Sequence, residues 1–217
     1  GGHLLPAQQL ACLLKNSADV SFAGYLLSQN PFFQKQNFFF QDVDSAKLQS
    51  PLSFLYRSAK GILQSIRLIQ KLQPDAIVGF GSYHSFPVLA AAFLLRKKII
   101  LFEANCVLGK VNRLFLPCAH GLALQFPLQP ACRFKNSQYV TYLPWIRDQR
   151  SYTKEEARRF YGFDASLPVC LVFGGSQGAS FLNEAASSLL PRFQVSHCAG
   201  REESVSSVRR LYESQQI

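Results

Sequence analysis

Short runs of β-branched and aromatic residues alternate along this chain with stretches whose apolar positions recur every three or four residues. That alternation is the pattern of βαβ units on a parallel sheet. The runs predict strands over Val20–Tyr25, Phe38–Gln41, Ala76–Val78, Ile99–Glu103, Gly121–Leu124, Tyr139–Tyr142, Val169–Phe173 and Gln194–His197. Between them, helical periodicity predicts Leu4–Lys15, Leu52–Leu72, Phe86–Leu95, Lys110–Leu116, Lys154–Tyr161, Ala179–Leu190 and Glu202–Ser214. The clearest helix is Leu52–Leu72, where Leu52, Leu55, Ala59, Ile62, Ile66, Ile69 and Leu72 define one buried stripe, with Pro51 at the start where proline is tolerated. The Phe-rich segment 30–41 reads as a loop followed by a buried strand.

A change in composition marks the middle of the chain. Pro144, Trp145 and the charged stretch from Arg147 to Arg159 separate the first set of strands from a new strand, glycine turn and helix. The boundary falls near 143–150, giving a nearly complete α/β domain over 1–146 and a second over 147–217 with too few strands to close a sheet. The chain opens on Gly-Gly-His rather than Met, so a further strand is expected ahead of it and more of the second domain after it.

Composition narrows the classes. With 217 residues, 48% hydrophobic and 17% charged, the chain is globular, which excludes collagen-like and wholly disordered readings. The formal charge of +10 suits an anionic partner: nucleic acid, a phosphorylated metabolite or acidic lipid. The 23 Lys and Arg are scattered without a basic helix interleaved with aromatics, so no nucleic acid is expected. Cys12, Cys106, Cys118, Cys132, Cys170 and Cys198 form no CxxC pair and read as reduced thiols, with no metal site. The longest apolar stretch, Phe86 to Leu95, is about half a membrane span.

Candidate chemistry lies where strands or glycines meet helices. Gly1, Gly2 and His3 precede the first helix, whose start offers free N–H groups and a positive dipole end to an anion. His3 there is either a general base or a capping histidine. Gly174, Gly175, Ser176, Gln177 and Gly178 follow the strand Val169–Phe173 and open the next helix, the context of a phosphate-binding turn or of an ordinary tight βα connection. Two more loops, Gly79–Ser85 and Glu103–Asn105, follow strands and share the expected ligand side of a parallel sheet with His3. His84 there is a ligand-side group or a surface loop residue, and Glu103 is a functional, solvated or capping carboxylate. His120 and His197 are given no role.

Four segments, GGHLLPA, PDAIVGFGSYHSFPVLAA, FEANCVLGKVNR and LVFGGSQGASFLN, occur in the order and spacing of the MurG family of glycosyltransferases, which the chain resembles over nearly its whole length. The resemblance implies a GT-B architecture: two Rossmann-like domains, the N-terminal one on the acceptor side and the C-terminal one binding UDP-GlcNAc. It places the glycine loop at Gly1 and Gly2, the general base at His3, and donor contacts at Asn105, Arg147 and Ser176, with Gly174, Gly175, Gln177 and Gly178 supporting the phosphate turn. This chain departs from the family at Ser82, Phe86, Phe102 and Ala104, and its Leu143–Arg147 keeps only the hydrophobic-Arg end of a family motif.

The activity so implied is inverting transfer of GlcNAc from UDP-GlcNAc to the MurNAc 4-hydroxyl of undecaprenyl-pyrophosphoryl-MurNAc-pentapeptide, in peptidoglycan synthesis. No metal and no cofactor are required. A lipid-borne acceptor implies peripheral docking on an anionic membrane surface, the cytoplasmic face of the bacterial plasma membrane, to which Phe54, Leu55, Tyr56, Arg57, Lys60 and Arg67 could contribute. The alternatives are another GT-B transferase with a lipid acceptor, a UDP-sugar-binding module without turnover, and an inactive fragment. The family's later glutamate and glutamine pair fall beyond Ile217, so the isolated chain is expected to be poorly soluble or partly unfolded and without transferase activity.

Overall fold

The computed structural model describes residues 3–30, 32–33, 37–45, 51–131, 134–135, 137–139, 152–175, 178–189 and 192–214, with 51–54 and 137–139 described for the backbone alone. The chain divides into two compact units, Gly1–Ile146 and Arg147–Ile217.

The first unit begins with α1 (Leu4–Leu14), followed by β1 (Ser21–Gly24) and β2 (Phe39–Asp42). These strands pair in parallel, with Ser21 opposite Phe39 and Gly24 opposite Asp42. After α2 (Pro51–Leu72) come β3 (Ala76–Gly79), α3 (Phe86–Leu94), β4 (Lys98–Glu103), α4 (Lys110–Phe115), β5 (Gly121–Leu124) and β6 (Ser137–Tyr139). The last four strands form a second parallel sheet in the order β3-β4-β5-β6. No ladder joins β1 to β3 among the described residues. Of the predicted strand Tyr139–Tyr142, residues 140–142 lie outside the described residues; the observed strand starts earlier, at Ser137.

Near-continuous apolar sequence makes β4 a central strand, because a parallel strand covered on both faces has no solvent side to make polar. Ile99, Leu101 and Phe102 are buried there, and Ile99 and Leu101 belong to one core cluster with Leu89, Ala91, Ala92, Leu122 and Leu124. A second cluster gathers Ala11, Phe22, Leu27 and Phe33, with Phe22 and Phe33 edge to face at 4.9 Å. Part of the Phe-rich segment therefore supplies core rather than loop.

The stripe expected on α2 holds at Ile62, Ile66 and Ile69, which pack in the core, and is corrected at Leu55, Ala59 and Leu72. Leu55 is 68% exposed, and Ala59 and Leu72 are exposed as well, while Ser58, Gly61, Ser65 and Ile69 are buried. Leu52 lies among the residues without a described side chain. The helix is rotated because it packs closely and needs small residues at the contact. A Cβ on Gly61 would stand 1.9 Å from the Asp44 carbonyl oxygen and 3.0 Å from Pro87 Cβ. Ser65 enters the interior with its Oγ donating to the Gly61 carbonyl at 2.7 Å, so no polar atom is stranded.

The second unit contains α5 (Lys154–Tyr161), β7 (Val169–Phe173), α6 (Ser180–Ala185), β8 (Gln194–Cys198) and α7 (Glu202–Ser214). Thr153 and Glu156 form a reciprocal capping box at the start of α5, and Gly162, at φ 69°, ends it. β7 and β8 pair in parallel from Val169 opposite Gln194 to Phe173 opposite Cys198. The helix expected over Ala179–Leu190 is shorter: α6 tightens into a 3-10 turn over Ala186–Leu189. Ser187 and Ser188 donate their hydroxyls to the carbonyls of Glu184 and Ala185, so side chains compete for the acceptors of the last turn.

Candidate active site

In the first unit, the carboxyl ends of the strands gather the expected groups. His3 is the residue before α1, and its Nδ1 lies 2.9 Å from the carbonyl oxygen of Phe80, the residue after β3. A carbonyl only accepts, so Nδ1 carries the hydrogen. In the neutral ring, Nε2 is then left with its lone pair. His3 is exposed. Its ring is therefore fixed in the tautomer that lets Nε2 take a proton.

The loop after Phe80 is tightly built. Gly81 has φ 67°, and a Cβ there would stand 2.9 Å from Asn112 Nδ2. Ser82, which stands where the resembling family has glycine, adopts φ 149° and ψ 152°, and its Oγ accepts from the His84 N–H. His84 is not the surface loop residue that the sequence allowed. Its Nδ1 is hydrogen-bonded at 2.7 Å to Ser45, itself 1% exposed, and its ring stacks on Tyr25 with centroids 5.0 Å apart. Tyr25, Ser45 and His84 follow β1, β2 and β3 respectively, so the three strand ends are tied together at one rim.

Glu103, at the end of β4, is 2% exposed, which removes the solvated reading. One carboxylate oxygen accepts from the Asn105 main-chain N–H at 3.2 Å and from Asn105 Nδ2 at 2.9 Å. The other accepts from the Gly109 N–H at 2.9 Å and from Asn112 Nδ2 at 3.0 Å. Asn112 Nδ2 also donates to the Phe102 carbonyl, and Asn112 Oδ1 is the single buried side-chain polar atom without a partner among the described residues. Burying a carboxylate without a cation requires such donors, and here four N–H groups meet it.

The glycine turn of the second unit is described at Gly174, Gly175 and Gly178; Ser176, Gln177 and Arg147 lie outside the described residues, as do Gly1 and Gly2. Gly175 has φ 77° and open space where a side chain would go. Gly178, at φ 74°, leaves no such space, since a Cβ would stand 2.1 Å from the Ala199 carbonyl oxygen. Asn183 Nδ2 donates to that same carbonyl at 3.1 Å. With its Nδ2 so used, Asn183 Oδ1 accepts from His197 Nε2 at 3.1 Å, and the Tyr212 hydroxyl donates to His197 Nδ1 at 2.7 Å. Burial pushes His197 below its ordinary value, in keeping with this neutral ring, and pushes Tyr212 up. No motif marks His197 in the sequence. Its partners lie 14 and 15 residues away, a pairing only the βα fold creates.

Among the described residues no three His, Cys, Asp or Glu side chains gather to hold a metal ion, and no helix is long and apolar enough to cross a membrane.

Residues 1–123 match the glycosyltransferase family 28 N-terminal domain. A relative from Protochlamydia amoebophila, named UDP-N-acetylglucosamine–N-acetylmuramyl-(pentapeptide) pyrophosphoryl-undecaprenol N-acetylglucosamine transferase, is 34% identical over 100% of this chain and 61% of its own length. One of the same name from Chlamydia felis is 31% identical over 98% of this chain and 61% of its own. The crystal structure of Acinetobacter baumannii MurG matches 98% of the chain and 59% of its own at TM-score 0.66 and 26% identity, so the architecture is that of a GT-B glycosyltransferase. The chain spans about three fifths of the length of these relatives. On the match across its first 123 residues and the identity along its whole length, the chain belongs to glycosyltransferase family 28.

Proposed function

We propose that this chain supplies the acceptor-side domain and the start of the donor-side domain of an inverting N-acetylglucosaminyltransferase. The donor is UDP-GlcNAc, and the acceptor is the MurNAc 4-hydroxyl of undecaprenyl-pyrophosphoryl-MurNAc-pentapeptide. The observation that carries this reading is the His3–Phe80 hydrogen bond, which leaves Nε2 as an acceptor at the rim where the loops after β3 and β4 begin.

In the reaction, the acceptor oxygen bonds to the anomeric carbon of GlcNAc on the face opposite UDP, and the bond from that carbon to the pyrophosphate oxygen breaks. His3 Nε2 receives the hydroxyl proton as the bond forms, general-base help worth roughly 10²–10⁴ in rate. Inversion gives a β-1,4 link. The leaving pyrophosphate gains negative charge, and the reading assigns its stabilisation to N–H groups of the two glycine loops, at Gly1 and Gly2 and around Ser176. Asn105 and Arg147 hold the donor.

Peripheral attachment to the cytoplasmic face of the membrane completes the reading, since the acceptor is anchored in lipid. The exposed face of α2 supports it. Leu55, Tyr56 and Leu63 are more than half exposed, and Arg57, Arg67 and Lys71 lie on the same helix, which has no acidic residue; its Lys60 is paired with Asp44.

Acceptor assays test the proposal: the gene product carrying this chain, given UDP-GlcNAc, should glycosylate the MurNAc lipid and leave diacylglycerol untouched. Transfer to diacylglycerol alone would replace this reading by that of another lipid-directed transferase.

A further inference from the structure

Asn105 is exposed, and an exposed asparagine ordinarily turns its amide freely. Here it does not. Its main-chain N–H and its Nδ2 both donate to one oxygen of the buried Glu103 carboxylate, at 3.2 and 2.9 Å. The other oxygen is held at 2.9 and 3.0 Å by Gly109 and Asn112, which anchor the carboxylate to the start of α4. Asn112 turns its Nδ2 toward Glu103 and the Phe102 carbonyl and leaves its own Oδ1 buried without a partner. An unpartnered buried oxygen is costly, so the arrangement is organised around the carboxylate rather than around Asn112.

We infer that Glu103 is a positioning residue that locks the Asn105 amide with Oδ1 directed away from the carboxylate, so that Asn105 receives a sugar hydroxyl rather than a phosphate oxygen. The chemistry follows from what the locked amide has left. Nδ2 has spent one hydrogen on Glu103, leaving Oδ1 as an acceptor and one N–H as a donor. A hydroxyl both donates and accepts and satisfies both atoms, whereas a phosphate oxygen only accepts: it takes the remaining N–H and leaves Oδ1 without a donor. In Glu103→Gln an NH2 group replaces one carboxylate oxygen and faces the N–H groups of Asn105 or of Gly109 and Asn112. With the NH2 toward Asn105 the lock is lost outright; with it toward Gly109 and Asn112 the group loses the anchor to α4 that holds its oxygen against Asn105, and in both cases the side chain keeps its size.

This inference rests on the nucleotide-sugar reading above, and the test separates the two. Dissociation constants for UDP-GlcNAc and for UDP are measured by calorimetry on the gene product carrying this chain, as wild type, Glu103→Gln, Asn105→Ala and the double variant. Each single variant should bind UDP-GlcNAc about tenfold more weakly, the scale of one hydrogen bond in a ligand site, with UDP unchanged. The double variant should lose no more than either single one, because Glu103 acts through Asn105. Equal loss for UDP and UDP-GlcNAc, or losses that multiply in the double variant, would overturn the inference.

A ligand-free measurement guards against a Glu103→Gln variant that does not fold. The Asn105 side-chain amide of the 15N-labelled wild type should show one slowly exchanging proton, and a fast-exchanging pair would overturn the lock. If the wild type shows the slow proton and binds neither UDP-GlcNAc nor UDP, the nucleotide-sugar reading falls and the sugar assignment of Asn105 with it.

Discussion

The Nδ1–H of His3 donates to the carbonyl oxygen of Phe80 at 2.9 Å, across 77 residues of sequence. This bond fixes which ring nitrogen is free for chemistry, and it couples the start of α1 to the end of β3. His3→Asn keeps a donor for Phe80 and removes the base. Turnover in the gene product should fall by roughly 10²–10⁴ with affinity for UDP-GlcNAc unchanged. An unaltered rate takes His3 out of the mechanism.

Ser82 occupies a backbone region at φ 149° that is nearly exclusive to glycine and costs other residues about 1–3 kcal/mol. Ser82→Gly removes that strain, at the expense of a 3.3 Å hydrogen bond to the His84 N–H and of some unfolded-state entropy. The net outcome is a gain of about 1 kcal/mol in urea unfolding. A loss of stability would show that the Ser82 hydrogen bond outweighs the strain.

Gly175 borders open space and Gly178 is packed. Gly175→Val strains a φ of 77° but meets nothing within 4 Å, so the unit should fold while UDP affinity drops about tenfold, or 1.4 kcal/mol. In Gly178→Ala the new methyl meets the Ala199 carbonyl, and stability should fall by about 1–3 kcal/mol. Calorimetry with UDP and thermal unfolding measure the two outcomes, and unchanged UDP binding in Gly175→Val would make the turn a structural connection only.

The Tyr212–His197–Asn183 relay sets a pH window. His197 is depressed in the folded state, so its stabilisation is full above its unfolded value near 6.5 and declines as pH falls below that. Tyr212 is raised, so its share is present below about pH 10 and is lost as pH rises further. Glu156 and Asp164, both lowered by hydrogen bonds from Thr153 and Ser166, keep their share at neutral pH and lose it only as pH falls through the usual carboxylate range and below. Midpoints of thermal unfolding should therefore decline between about pH 7 and pH 5.5, and His197→Gln should flatten that decline. An unchanged slope in the variant would remove His197 as its cause.

On α2, Leu55→Ser with Tyr56→Ser should weaken binding to vesicles containing anionic phospholipid, since about 25 cal/mol is lost per Å² of apolar surface no longer buried in the interface. Neither side chain is packed in the core, so folding should be unaffected. Wild-type binding by this variant would assign the face to another role.

The strand Lys98–Glu103 was legible because parallel strands covered on both faces carry continuous apolar runs, as Ile99–Phe102 does; the order β3-β4-β5-β6 came only from the structure. Periodicity placed Ile62, Ile66 and Ile69 of α2 in the core but missed the rest of its buried face, because it weighs Leu55 and Leu72 by hydrophobicity and passes over Ser58, Gly61 and Ser65, whose smallness lets neighbouring chain approach. His3 and Asn105 could be named from their motifs. The groups that orient them could not, since the Phe80 carbonyl and the burial of Glu103 exist only once β3, β4 and α4 are assembled.

The decisive experiment incubates the gene product carrying this chain with UDP-GlcNAc and undecaprenyl-pyrophosphoryl-MurNAc-pentapeptide and determines the linkage of the product. UDP release should be matched one for one by GlcNAc joined β-1,4 to MurNAc. An α-linked product, or a folded protein that binds both substrates and transfers nothing, would contradict it.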